Sequence, residues 1–330
     1  MINNTGPAVD RPGTPPTRDR DVLDRVVRRE YLRELRLRNR DVALAILTPV
    51  ILLVIWEVLA LLGVLDRRLF TPPSEIAVRG WQMIITGRIV PHVLATLARL
   101  ATGFALGACT GIVVGLLMGV WRPVRAALGP TFTALYALPK IAILPLLLLI
   151  FGLTETPKVL SVAISVFFVV QINTLAGIAQ IDPRVLETAR AYRATGWKLF
   201  RYVLLPAATP SIMTGLRVSA GMGVVVVTAV EFVASESGLG YLIWNSWQLF
   251  QPSTMFVGLI MVSLIGAGAT GLIILLERTV LPWRRAGRAT RGQAPGSHQP
   301  VVPHRPKPQQ PGRHHPGPAQ SSLQRPGLRR

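Results

Sequence analysis

Long apolar runs alternate with polar segments along the chain from residue 42 to residue 276. A helix rises about 1.5 Å per residue, so roughly 20 apolar residues cross the hydrocarbon core of a bilayer. Six stretches meet that requirement: 42–65, 96–120, 127–151, 159–179, 212–234 and 254–276. Few charges interrupt them. Arg99, Lys140, Arg217 and Glu231 fall toward span ends or breaks, and Glu57 sits well inside the first span. The pattern predicts an all-α, polytopic membrane bundle of about six transmembrane helices. Ahead of it, Leu23, Val27, Tyr31 and Leu35 recur every four residues among Arg and Glu. That spacing predicts a basic amphipathic helix over 21–38, read as an interfacial elbow on the cytoplasmic leaflet rather than a solvated surface helix.

Three regions follow: a basic N-terminal segment (1–41), the membrane domain (42–283) and a basic tail (284–330). Residues 1–20 are rich in Pro, Arg and Asp, and the tail in Arg, Gly, Pro, Gln and His, so both are expected to be disordered. His314 and His315 in the tail are read as solvated rather than metal-binding. No short apolar run precedes a small-residue cleavage site, so the first span is expected to remain as an uncleaved anchor.

Composition supports the membrane reading: 50% of the 330 residues are hydrophobic and the mean hydropathy is +0.43. The net charge of +20 is concentrated at the ends, with ten Arg in 1–41 and ten Arg and one Lys in 277–330. Basic ends suit the cytoplasmic side, beside anionic lipid. The body offers no aromatic and basic face, so no nucleic-acid partner is expected. Lys and Arg in the loops set the orientation. Residues 121–125 and 181–211 are basic and assigned to the cytoplasm, whereas 235–253 holds neither Lys nor Arg. The N- and C-termini are then both cytoplasmic. Segment 66–95, with four Arg, is the one awkward loop; its length weakens the rule there. The single Cys109 lies in an apolar run and is expected to be a small packing residue.

Gly103, Gly107, Gly111, Gly115 and Gly119 recur every four residues in the second span. Four residues turn a helix through about 400°, so these glycines form one slowly winding stripe. In lipid, small residues let helix backbones approach and gain dispersion contacts, so the stripe predicts a helix-packing seam. Gly215, Ser219 and Gly223 repeat the device in the fifth span. Pro130, Pro139 and Pro145 are expected to interrupt the third span. Broken helices at membrane depth are tolerated where protein or a wet cavity covers the freed backbone, and they often mark a transport path. Candidate path residues are therefore Pro139, Lys140, Gln171, Asn173 and Glu231. A kinked packing helix with a snorkelling Lys140, and Gln171 and Asn173 as helix bridges, fit the same residues.

Residues 181–211 are too polar to span. Asp182 can cap a helix with Pro183 in its first turn. A short helix through Leu186, Glu187, Ala189, Arg190 and Tyr192 is expected to end at Gly196. A second helix, through Trp197, Leu199, Phe200 and Val203, should stop before Pro206, with Thr209 and Pro210 capping the fifth span. Two short helices with exposed apolar and basic residues form a candidate docking knob.

Here the chain resembles a known family. Glu187-Thr188-Ala189, with Leu205-Pro206 downstream, matches the spacing of the EAA loop of ATP-binding cassette (ABC) importer permeases. Ala137-Leu138-Pro139-Lys140-Ile141-Ala142, Phe151-Gly152, Asn173-Thr174, Gly238-Leu239-Gly240-Tyr241-Leu242-Ile243 and the glycine ladder narrow the likeness to the nitrate, sulfonate and taurine branch of binding-protein-dependent permeases. The resemblance covers roughly 42–283. It implies a type I importer permease fold, with coupling helices that engage a cytoplasmic ABC ATPase through Glu187, Ala189, Arg190, Gly196, Trp197, Leu205 and Pro206. It also implies an extracytoplasmic solute-binding protein, a permease homodimer in the bacterial inner membrane, and ATP and Mg bound on the ATPase rather than on this chain. Two departures stand out. Thr188 replaces the middle Ala of the triplet, and Arg193 stands where the family has Gly, so the turn is expected to be shifted toward Gly196.

The chain carries no phosphate loop of the G-x-x-x-x-G-K-[ST] type, no H-E-x-x-H helix and no G-x-S-x-G elbow, so no catalytic residue is assigned. An ion-coupled secondary transporter or channel would need midspan acids, for which Glu57 and Glu231 are the candidates. A lipid-modifying membrane enzyme would need clustered His, Asp or Ser at a span end, and His92 is the only histidine in the body.

Overall fold

The computed structural model describes residues 17–281, without the side chains of 17–36, 38 and 39. Residues 1–16, the tail with His314 and His315, and the side chains of the amphipathic face of 21–38 therefore lie outside the described residues, whereas 17–20, expected to be disordered, open the first helix. Among the described residues the chain is helical, with no strand. α1 (Thr17–Leu61) runs from the basic segment into the first span, with no turn at residue 41 where the pattern placed a boundary. α2 (Pro73–Ile85), a short helix in the awkward loop, follows, then α3 (Val90–Val120), which starts six residues before the expected span. α4 (Arg122–Ala137), a 3₁₀ turn (Lys140–Ile143) and α5 (Leu144–Phe151) form one broken unit, bent by 96°. α6 (Thr156–Ala179) leads to α7 (Pro183–Ala191). α8 (Gly196–Leu199), a π turn (Phe200–Leu204) and α9 (Leu205–Ala234) continue into one another as a 39-residue helix. α10 (Leu239–Gln248) and α11 (Pro252–Val280) complete the described chain. Among the described residues five helices are long and apolar enough to span, and the bent pair adds a sixth where it is counted as one broken span.

The glycine ladder lies against α6. A Cβ on Gly103 would lie 2.7 Å from Val162 Cβ, one on Gly111 2.8 Å from the Phe167 carbonyl, and one on Gly115 2.6 Å from Thr174 Cβ. Gly107 meets Ala163 and Val166, and Gly119 meets Ile178, in the same way. Only glycine permits this approach along five turns of helix. α9 also docks on α6, where Gly215 meets Asn173 and Gly177 meets Ser211 so closely that a Cβ on either glycine would lie only 2.7 Å from its neighbour's Cβ. Leu100, Val162, Val166, Val170, Val224 and Val227 fill the space between α3, α6 and α9. A second cluster, Ile76, Met83, Leu239, Leu242 and Val257, joins α2, α10 and α11. Cys109 is exposed, so it is not the packing residue expected.

Three sequence expectations are corrected. Pro130 lies inside the continuous α4; the break falls at Leu138 and Pro139, and Pro145 starts α5 rather than interrupting it. One proline removes a single backbone donor, which an otherwise complete helix tolerates. No stop precedes Pro206, and Thr209 and Pro210 cap nothing, because the helix is unbroken from Gly196 to Ala234. The π turn widens the helix one turn before Pro206, where Leu205 N–H bonds to the Phe200 carbonyl five residues back, and this makes room for the proline ring. The turn in the polar loop is also not shifted toward Gly196. It is built on Arg193, as described below.

Candidate functional site

Two assemblies of polar residues stand at opposite ends of the α6 and α9 helices. The first is the knob between them. Asp182 Oδ1 accepts the Arg184 N–H at 2.8 Å, capping α7 as expected, with Pro183 in the first turn. α7 ends in a paired closure: Ala194 N–H donates to the Ala189 carbonyl at 2.9 Å and Arg193 N–H to the Arg190 carbonyl at 2.8 Å. This Schellman geometry requires a left-handed residue at the position after the cap, usually glycine. Arg193 holds it, with φ of 52°. The substitution of Gly by Arg thus leaves the turn in place and puts a side chain on a strained backbone.

The knob presents Glu187, Arg190, Gly196, Trp197 and Pro206 to the outside, while Ala189 is buried and Leu205 half-buried. Tyr192 and Tyr202 are also exposed, and Trp197 stacks on Phe200 with ring centroids 5.2 Å apart. Arg184, Arg190, Arg193, Lys198 and Arg201 surround these rings, with Glu187 as the one acid after Asp182. An exposed aromatic and cationic surface of this kind suits an acidic groove on another protein.

The second assembly is a buried ionic cluster centred on Arg99 of α3. Its Nε donates to Glu155 Oε2 at 2.6 Å and its Nη2 to Glu155 Oε1 at 2.9 Å. Nη1 donates to Glu231 Oε1 at 2.8 Å and to the Ser237 carbonyl at 2.7 Å, and Nη2 also reaches Ser237 Oγ at 3.1 Å. All five guanidinium N–H groups are therefore used. Lys158 Nζ donates to Glu155 Oε1 at 2.8 Å. Glu231, fully buried near the end of α9, also accepts from Thr96 Oγ1 at 2.9 Å and from Gly240 N–H at 2.8 Å. Gly238, at φ 114°, lies so close to the Glu231 carboxylate that a Cβ would overlap it. His92 Nδ1 lies 3.1 Å from the Gly238 carbonyl. Glu155 lies in the connection before α6, and the neighbouring Arg99 guanidinium, assisted by Lys158, holds its carboxyl down to about 2.

The five path candidates do not form one cluster. Glu231 belongs to the ionic cluster. Gln171 is buried between α3 and α6 with Nε2 3.1 Å from Met118 Sδ, and its Oε1 has no partner. Asn173 Nδ2 donates to the Val169 carbonyl at 2.8 Å, beside Gly215. Pro139 and Lys140 lie at the break, where the Lys140 ammonium donates to the Tyr136 carbonyl and sits 4.3 Å from the centroid of the Tyr136 ring. Glu57 is a helix cap, accepting from Ser74 N–H at 3.0 Å and Ser74 Oγ at 2.7 Å. Arg217 of α9 pairs with Glu277 of α11. Sequence reasoning missed Glu155, Lys158, Thr96 and Ser237. For Glu155 and Lys158 the one visible signal was charge immediately outside an apolar run, which does not name a partner; Thr96 and Ser237 carried no signal. Among the described residues no group of three His, Cys, Asp or Glu could hold a metal.

Comparison with known proteins finds one family profile, described as binding-protein-dependent transport system inner membrane component, matching residues 111–282. A Bacillus subtilis protein carried under the name aliphatic sulfonates transport permease is 34% identical over 241 residues, 73% of this chain and 87% of that protein. A Chloroflexus aurantiacus riboflavin transport system permease is 34% identical over 236 residues, 72% of this chain and 88% of that protein. Among solved structures, a chain of an inward-facing methionine ABC transporter superposes with a TM-score of 0.48 at 20% identity, covering 59% of this chain and 97% of that one.

Proposed function

Since the chain belongs to the family of inner membrane components of binding-protein-dependent transport systems, we propose that it forms the translocation path of an ABC importer, with the knob 182–201 as its handle for a separate cytoplasmic ATPase. The observation that carries this reading is mechanical. The knob's aromatic and basic surface continues into the 39-residue helix that ends beside Glu231. Force applied at Trp197 therefore acts on a helix that also holds the ionic cluster. The ATPase binds ATP and Mg. Its closure shifts the bundle between outward-open and inward-open states only if the ATP-bound form fits one state better than the other.

The remaining assignments follow the family. The chain pairs with a second permease copy in the bacterial inner membrane, and an extracytoplasmic binding protein delivers the solute to the end that carries Arg99, Glu155 and Glu231. Both termini are on the cytoplasmic side, in keeping with the basic loops 121–125 and 181–211. The solute is a small organic or inorganic anion of the sulfonate, taurine or nitrate type. The two relatives at 34% identity bear the names of a sulfonate and of riboflavin, so the solute's charge has to be read from this chain's own residues. An ion-coupled carrier is disfavoured by the engagement of both candidate acids: Glu57 caps α2 and Glu231 is locked to Arg99. The test is co-purification of the ATPase with Glu187→Lys and with a deletion of 186–200. Both should lose the ATPase while still inserting in the membrane, and retention of the ATPase by both would refute the reading.

A further inference from the structure

Three cations of the described spans lie away from the outer ends of those spans: Arg99 and Arg217 inside helices, and Lys140 at the break of the bent unit. Two of them are neutralised by acids of this chain. Arg99 gives its five N–H groups to Glu155, Glu231 and Ser237, and together with Lys158 the cluster holds two cations and two carboxylates. Arg217 is paired with Glu277. Lys140 has no carboxylate partner among the described residues. It donates to the Tyr136 carbonyl and lies 4.3 Å and 5.8 Å from the ring centroids of Tyr136 and Phe168. One carbonyl and two ring faces orient the ammonium and leave its charge uncancelled.

Depth makes that charge costly. Phe168 is halfway along the 24-residue α6, so the half-buried Lys140 ammonium is held level with the midpoint of that span. Lys140 also opens the 3₁₀ turn at the 96° break, where the backbone is least able to satisfy itself. An apolar cavity of about 520 Å³, walled by Leu138, Ile143, Phe167 and Phe168 among others, lies beside the break; Lys140 itself stands outside its lining. A cation within a span that lacks a carboxylate partner marks a candidate point on a substrate path.

We propose that Lys140 is the residue that reads the negative charge of the solute, contacting its oxyanion head midway through the membrane, whereas Arg99 and Arg217 are structural. This rests on the importer reading above. The test uses the full complex of permease, ATPase and binding protein in proteoliposomes, with ethanesulfonate and nitrate as anionic probes and riboflavin as a probe without a strong acid. Wild type is expected to take up an anion in preference to riboflavin. Lys140→Gln should lower that uptake by about tenfold or more while ATP hydrolysis still responds to the binding protein, and Lys140→Arg should restore most of it. Lys140→His keeps a titratable donor at the break, so its uptake should rise as pH falls through about 6.5, unlike wild type. Unchanged anion uptake by Lys140→Gln, a pH profile of Lys140→His matching wild type, or riboflavin as the sole transported probe would overturn the assignment. Absence of binding-protein-stimulated ATP hydrolysis in wild type would instead overturn the importer reading beneath it.

Discussion

Arg99 and Glu231 are 132 residues apart in the chain, yet their side chains meet at 2.8 Å with 4% and 0% of their surface exposed. The pair joins α3 to the end of α9 in a place where water cannot substitute for either partner. Removing one member of a buried pair leaves an uncompensated charge, which typically costs about 3–5 kcal/mol. Arg99→Met should therefore lower the melting temperature of the solubilised protein sharply, and Glu231→Gln should do so to a comparable degree. The double variant should lose less than the sum of the two. Additive losses in thermal melts would show that the two residues do not act together.

Glu155 gives the cluster its acid sensitivity. Its carboxyl is lowered from 4.5 to about 2 by Arg99 and Lys158, so the folded state favours the charged form. The stabilisation is complete above pH 4.5 and is lost as pH falls from there toward about 2. Glu155 is well exposed, so screening keeps the effect small. Thermal melts across this window should fall more steeply for wild type than for Glu155→Gln, and parallel curves would contradict the assignment.

The glycine ladder allows a comparison within the protein. Gly107→Ala places a Cβ against Ala163 and Val166 and should cost about 1–3 kcal/mol through overpacking. Gly111→Leu, against the Phe167 carbonyl, should prevent assembly of the bundle. Gly129→Ala, in α4 with nothing within 4 Å, should be neutral or gain up to about 1 kcal/mol of helix propensity. Size-exclusion profiles and melting curves of the three variants check the ranking.

Arg193 occupies a left-handed position with φ of 52°. A non-glycine residue there carries roughly 1 kcal/mol of strain, which Arg193→Gly should relieve without moving the turn. Slower amide exchange at 192–195 in that variant would be the sign. Arg193→Val should loosen the same amides, and weaker ATPase retention should accompany it.

Long apolar periodicity was enough to locate the spans, and α6 and α11 extend only a few residues beyond the stretches read from it. The ladder from Gly103 to Gly119 was legible as a seam because its spacing matches the helix repeat, although its partner α6 was not nameable. What could not be read was pairing across distance. Glu155 and Lys158 lie just at the edge of an apolar run, and nothing local connects them to Arg99, 56 residues before Glu155. The continuity of α8 into α9 was hidden for a different reason. Pro206 and Pro210 signal a stop in isolation, and the π turn that accommodates the first of them has no sequence signature of its own.

The unbroken run from Gly196 to Ala234 measures about 58 Å from tip to tip. A helix of that length, to the extent that it stays stiff through the π turn and Pro210, converts a small tilt at one tip into a proportionate swing at the other. On the importer reading proposed above, such a lever would tie the two ends of the translocation path together by stiffness rather than by a relay of contacts between them.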